Sequence, residues 1–314
     1  MKRVLYKSGV IILLVLTSIQ FTGCLTLKYS LKPNKRGQDL PGSYEFMYKN
    51  YPHLEAWIDS LNQLKALKDT FMYAPDGARL HAYYVTASQP TSKTAVIVHG
   101  YTDNAIRMFM IGYLYSRDLN YNILLPDLRW AGQSDGTHIQ MGWLDRLDVM
   151  QWLEVANQIY GDSTQMVVHG ISMGAATTMM LSGEVLPDYV KCFVEDCGYT
   201  SVWDEFKHEL KKRFKLPPFP VLNLTSWACG IKYNWKFKEA SSMKQLVNCE
   251  RPMLFIHGEK DDFVPTWMVY KLYEVKPEPK ELWVVPGVVH AKSYHDYPYE
   301  YTQKVKAFTD KYIR

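Results

Sequence analysis

Little in this chain is arranged to hold a metal or to cross a membrane. Five cysteines occur in 314 residues, and no Cys/His spacing has the pattern of a zinc site. Cys192 and Cys197 flank one predicted strand and stand too far apart along it to bridge each other. With Cys229 and Cys249 they make an even set, for which buried free thiols and a disulfide are both open. The apolar run Val10–Ile19 is too short to span a bilayer comfortably. There is no internal repeat and no low-complexity linker. A basic body is also lacking: residues 1–50 hold eight Lys/Arg against two acids, which leaves the remainder at −2 of the total +4. Composition therefore gives no case for nucleic-acid binding.

The N-terminus reads as a targeting segment. Lys2, Arg3 and Lys7 precede the apolar stretch. Phe21-Thr22-Gly23-Cys24 follows and resembles a bacterial lipobox, in which cleavage before the cysteine exposes a residue for lipidation. The expected division is a signal peptide over 1–23, a lipidated tether over 24–43 and a globular domain over 44–314. It implies an exported protein held at the cell envelope, with a membrane as partner through the anchor on Cys24. A cleaved signal without lipid and an uncleaved anchor are the alternatives. No Asp follows Cys24, which in a Gram-negative cell favours the outer membrane.

Hydropathy patterning gives the body. Residues 44–68 carry Leu54, Trp57, Ile58, Leu61, Leu64 and Leu67 at helical spacing, so one amphipathic helix is expected there. Asp69–Ala74 and Arg79–Ala87 read as a hairpin about Asp76-Gly77. Six more strands are expected at Ala95–Val98, Asn122–Leu125, Met166–Val168, Cys192–Val194, Met253–Ile256 and Leu282–Val285. Short apolar strands alternating with helical stretches predict an α/β class, a mostly parallel doubly wound sheet covered on both faces. Residues 200–248 break the alternation and read as a helical insertion, a lid over the sheet's C-terminal edge.

Strand, turn and helix meet at Gln165–Ala176. Gly170-Ile171-Ser172-Met173-Gly174 lies between an apolar strand and a run of small residues, the setting of a nucleophile elbow. The two glycines leave room for a sharp turn, and the serine is expected at a helix N-terminus, where the dipole favours developing negative charge.

Further motifs stand in order around it: Val98-His99-Gly100-Tyr101; Asp127-Leu128-Arg129 with Gly132 and Ser134; His257-Gly258-Glu259-Lys260-Asp261-Asp262-Phe263-Val264-Pro265; and Val289-His290-Ala291. Over about residues 65–314 the chain resembles the α/β-hydrolases, in the serine-hydrolase group of carboxylesterases, monoglyceride-lipase-like enzymes and serine aminopeptidase-like proteins.

The resemblance implies an α/β-hydrolase fold and a triad of Ser172 as nucleophile, Asp261 as acid and His290 as base. Asp262 and Asp196 are the other candidates for the acid. The oxyanion donors would be the N–H groups of Met173 and Tyr101. His99, His169 and His257 each precede a glycine at a strand end, which suggests packing and backbone bonding. His295 is expected at the surface. Asp127 and Arg129 are expected as structural ion-pair partners. Trp130-Ala131-Gly132 departs from the Gly-His-Gly common in such proteins and is read as altered pocket shape.

No cofactor and no metal are implied. Serine at the elbow argues against dehalogenase-type chemistry, which uses a carboxylate there. The partner would be a small acyl ester or a peptide. The aromatic, apolar insertion favours the ester, while a non-catalytic binding lipoprotein that kept the fold is the remote alternative.

Overall fold

Eight strands form one sheet in a computed structural model that describes residues 23–32 and 35–314. They are β1 (Lys68–Tyr73), β2 (Arg79–Val85), β3 (Lys93–Val98), β4 (Asn122–Pro126), β5 (Gln165–Ile171), β6 (Val190–Asp196), β7 (Met253–Gly258) and β8 (Lys280–Val285). Their order across the sheet is β1-β2-β4-β3-β5-β6-β7-β8. β1 and β2 make the expected antiparallel hairpin, and β2 also runs antiparallel to β4. From β4 to β8 every pairing is parallel. This is the α/β-hydrolase fold, and all eight strands lie where the sequence places them.

The inner strands read as unbroken apolar runs because both faces are covered. β4 and β7 are buried at every position, and the helices Asp145–Tyr160 and Met173–Leu181 pack on the inner strands. The parallel register aligns the strand ends. Val98 pairs with Gly170, Gly170 with Glu195, Asp196 with Ile256, and Gly258 with Val285. The loops that follow β3, β5, β6, β7 and β8 therefore leave from one edge of the sheet, where ligand sites of open α/β sheets form.

The chain divides into two units: residues 33–200 with 242–314, which holds the sheet, and, of the residues described, 23–32 with 201–241. Within the smaller unit, helices run over 23–31, Val202–Phe214 and Val221–Tyr233. The insertion expected over 200–248 is thus shorter. The helix Ser242–Leu246 belongs to the larger unit, where a Cβ on Gly183 would lie 2.5 Å from Gln245 O.

Two N-terminal expectations need correcting. The stretch 24–43, read as a tether, is helical over 23–31, Lys35–Gln38 and from Leu40 onward. Leu27 and Leu31, one turn apart, are 2% and 1% exposed, and that burial supports the first helix. The single helix expected over 44–68 is two, Leu40–Asn50 and His53–Gln63. Pro52 supplies no N–H and pushes the residue before it out of the helical region; Tyr51 sits at φ −138°, ψ 72°. The proposed signal segment lies outside the described residues except for Gly23. Among the described residues, no helix is long and apolar enough to cross a membrane.

Candidate active site

Ser172 follows β5 directly and caps the helix Met173–Leu181, with φ 58° and ψ −118°. A non-glycine residue at positive φ carries strain that its surroundings must hold in place. Here the Ser172 N–H donates to Asp196 O at 2.8 Å, and Ser172 O accepts the Ala176 N–H at 3.0 Å. The flanking glycines are forced by close approach. A Cβ on Gly170 would lie 2.1 Å from Gly174 O, and one on Gly174 would lie 2.1 Å from Val98 O.

The serine meets an imidazole, and the imidazole a carboxylate. Ser172 Oγ lies 2.9 Å from His290 Nε2, and His290 Nδ1 lies 2.6 Å from Asp261 Oδ2. His290 sits in the loop after β8 and Asp261 in the loop after β7. With Nδ1–H donating to the carboxylate, Nε2 is left as an acceptor toward the serine hydroxyl. Asp261 is held from its other side, because Oδ1 accepts the N–H groups of Phe263 and Val264 at 3.0 and 2.9 Å. Burial opposes its ionisation, yet bonding to His257 and His290 outweighs burial and holds the carboxyl down at about 2. The Phe263 ring packs against the imidazole, 4.9 Å between centroids.

The other acid candidates are engaged elsewhere. Asp262 is exposed. Asp196 ends β6, where its Oδ2 accepts from Tyr301 OH at 3.0 Å and its Oδ1 from Ser293 Oγ at 3.4 Å. Burial raises the carboxyl to about 6. Its neighbour Glu195 is raised to about 8, again by burial, and only Oε2 is bonded, to the Gly198 N–H at 2.9 Å.

The candidate oxyanion residues flank the serine in different ways. Met173 opens the helix after Ser172. Tyr101 follows Gly100, where an added Cβ would sit 3.5 Å from Ser172 Cβ, so the loop after β3 runs beside Ser172.

The three strand-end histidines differ from one another. His99 behaves as expected, since its Nδ1–H donates to Gly100 O at 2.8 Å and Nε2 accepts the Leu128 N–H at 2.9 Å. His169 instead joins a buried side-chain series: Nε2 is 2.9 Å from Tyr301 OH and Nδ1 is 3.2 Å from Tyr115 OH. Burial lowers it to about 3, so it is neutral. His257 donates from Nε2 to Val264 O at 2.9 Å, but the same atom also lies 3.4 Å from Asp261 Oδ2. The bond to Val264 O is the backbone bonding expected of it; the approach to Asp261 was not expected, and the place of His257 in the His-Gly-x-x-Asp motif was the available signal. His295 is exposed and pairs with Asp296.

Asp127 and Arg129 are structural, but not with each other. Asp127 Oδ2 lies 2.6 Å from His81 Nδ1, and its Oδ1 accepts the Ala105 N–H at 2.8 Å. Arg129 forks onto Asp148 at 2.8 and 3.0 Å and also reaches Asp76. The sequence reading did not identify His81.

Among the described residues, one group of possible metal ligands gathers, Cys197, Asp261 and His290, with ligand atoms within 4.8 Å of one another. Two of these already bond to each other. Cys192, Cys197, Cys229 and Cys249 are buried free thiols, and Cys24 is exposed.

Comparison with known proteins agrees with this architecture. The model of the prolyl oligopeptidase family matches residues 129–314. YqkD of Bacillus subtilis is 27% identical over 254 residues, which span 80% of this chain and 83% of YqkD. The alpha/beta hydrolase domain-containing protein WAV2 of Arabidopsis thaliana is 24% identical over 74% of this chain and 71% of its own. Among solved structures, the Pyrococcus furiosus esterase Pf2001 superposes with a TM-score of 0.64 at 23% identity, over 80% of this chain and 95% of that one. The esterase domain of a Rhodothermus marinus protein gives 0.56 at 15% identity, over 79% and 99%. These structural likenesses speak to the fold, and the family match covers more than half the sequence: the chain belongs to the prolyl oligopeptidase family, with an α/β-hydrolase fold.

Proposed function

We propose that the protein is a serine hydrolase that cleaves an ester through an acyl-enzyme. The observation that carries this reading is the hydrogen-bonded series from Ser172 Oγ to His290 to Asp261, at 2.9 and 2.6 Å. His290 Nε2 takes the Ser172 proton as Oγ attacks the acyl carbonyl, and Asp261 stabilises the imidazolium that forms. The N–H groups of Met173 and Tyr101 stabilise the oxyanion; one such donor typically contributes about 3 kcal/mol to transition-state stabilisation. The imidazolium then returns its proton to the leaving alkoxide as the C–O bond breaks. A water deprotonated by His290 attacks the acyl-enzyme, releasing the acid and restoring the serine. No cofactor enters these steps.

Ser172→Ala tests the reading. Turnover and labelling by a fluorophosphonate should both vanish, and full labelling of the variant would overturn it. The choice of an ester rests on the aromatic, apolar composition of residues 200–248. Family membership favours the second reading, a peptidase. Assay of p-nitrophenyl esters of increasing chain length beside aminoacyl anilides separates the two, and cleavage of anilides alone would reverse the preference. Failure of both panels with no covalent labelling would instead favour a binding protein.

We also propose lipidation at Cys24, which is exposed, and hence residence at the cell envelope. Incorporation of labelled palmitate that is lost in Cys24→Ser is the expected result; equal incorporation would exclude that site.

A further inference from the structure

The smaller unit has a net charge opposite in sign to that of the larger one. Residues 23–32 and 201–241 together hold ten Lys/Arg against four Asp/Glu, a net of +6. Residues 33–200 and 242–314 hold 23 against 28, a net of −5. Residues 1–22 add a further +3, and the whole-chain figure of +4 conceals the division.

Exposed apolar side chains share the basic unit. The helix over 23–31 lies against Val221–Tyr233, where Thr26 and Thr225 hydrogen-bond and a Cβ on Gly23 would meet Leu224 O at 2.9 Å. Its outward stripe is Leu25, Lys28 and Tyr29, with the exposed Lys32 just past its end, and Leu25 is 52% and Tyr29 64% exposed. The Tyr29 ring then meets Phe214 edge-on, 6.0 Å between centroids. Phe214 ends the helix Val202–Phe214 inside Lys211-Lys212-Arg213-Phe214-Lys215-Leu216, every residue of which is exposed. Phe219, three residues on, is 73% exposed.

Single exposed apolar residues are ordinary, whereas two exposed stretches joined by the Tyr29–Phe214 contact, each interleaved with lysines, are not. An aqueous surface offers nothing to Leu25, Phe214, Leu216 and Phe219. An anionic lipid surface satisfies both halves of the patch: headgroups pair with the basic groups, and the apolar side chains enter the acyl boundary. A polyanion such as RNA would use the charges but leave the leucines unserved. We infer that this face of the smaller unit docks on a bilayer containing anionic lipid, through its own residues and independently of any acyl chain on Cys24. The exposed Cys24 adjoins Leu25 on the same helix, so a lipid attached there would reinforce the same face.

The test uses the full chain carrying Cys24→Ser, so that no lipid is attached, and liposomes of phosphatidylcholine with or without 30% phosphatidylglycerol. Residues 1–22 are common to all variants, so the comparison between variants isolates the patch. Lys211→Glu with Lys215→Glu should lower partitioning onto the anionic liposomes by roughly tenfold or more, and added salt should weaken the parent in the same direction. Phe214→Ser with Phe219→Ser should also lower it severalfold. Thermal melts of each variant within a few degrees of the parent establish that the fold is kept. Parent-like partitioning by both double variants would overturn the proposal. So would loss with the charge variant alone, accompanied by equally tight binding of the parent to a single-stranded RNA oligonucleotide.

Discussion

His290 Nδ1 and Asp261 Oδ2 approach to 2.6 Å across 29 residues of sequence, and the carboxylate is fixed from behind by the Phe263 and Val264 N–H groups. An amide at 261 would favour the wrong imidazole tautomer while keeping the packing. Asp261→Asn should therefore lower kcat by about 10⁴-fold in an ester assay with the fold intact. Retention of activity within tenfold would transfer the acid role to another carboxylate, with Asp196 the first to test. The same group has a signature in acid. Its folded pKa of about 2 lies below the unfolded value of about 3.9, so its stabilisation is present above about pH 4 and is lost as pH falls toward 2. Acid unfolding of Asp261→Asn should be flatter than that of the parent across that window.

Glu195 has the opposite sign. Burial raises it to about 8, against about 4.3 for an unfolded glutamate. Its contribution is present below about pH 4.3 and is lost as pH rises through about 8, because the unfolded chain ionises first. Glu195→Gln removes that titration and keeps an acceptor for the Gly198 N–H. Denaturant unfolding at pH 5 and pH 8 should show the variant gaining on the parent as pH rises, by an amount on the order of a few kcal/mol. A difference that does not change with pH would show that the carboxyl ionises normally.

Arg129 tests the structural half of its motif. Its guanidinium forks onto Asp148, whose side chain is 6% exposed. Arg129→Met leaves a buried carboxylate without its partner, and breaking such a pair costs about 3–5 kcal/mol. Arg129→Lys keeps the charge but not the two-pronged geometry, and should fall between the parent and Arg129→Met. Equal stability of all three in urea would show that the pair is energetically idle.

The strands were legible because they are apolar, short and bounded by turn residues, and Ser172, Asp261 and His290 were legible as candidates because each lies in a motif with fixed local spacing. The resemblance implied Asp261 rather than Asp262, and the structure sets Asp261 against His290 while Asp262 is exposed. Long-range partners leave no such trace. Tyr301 reaches His169 across 132 residues and Asp196 across 105, and nothing near Tyr301 in sequence announces either bond. The joining of residues 23–32 with 201–241 is equally silent, because amphipathic spacing shows which side of a helix is buried but not what buries it. The break at Pro52 is a different case: the proline was in view, but every apolar position that argued for the helix, Leu54 to Leu67, lies after it.

Glycines of two motifs that meet at Ser172 should respond differently to the same substitution. A Cβ on Gly174 would lie 2.1 Å from Val98 O and 2.7 Å from His99 O, both backbone atoms at the end of β3. Backbone cannot rotate away as a side chain does, so Gly174→Ala must displace the strand end, the helix start or both. A Cβ on Gly100 meets nothing closer than Ile171 O at 3.4 Å and Ser172 Cβ at 3.5 Å, which is ordinary contact. Gly100→Ala should fold with stability within about 1 kcal/mol of the parent, while Gly174→Ala should cost several times that or fail to accumulate as soluble protein. Melting curves of the two variants beside the parent decide the matter. If Gly174→Ala melts with the parent, the elbow is looser than these approaches imply, and Ser172 at φ 58° is then not held by its glycines.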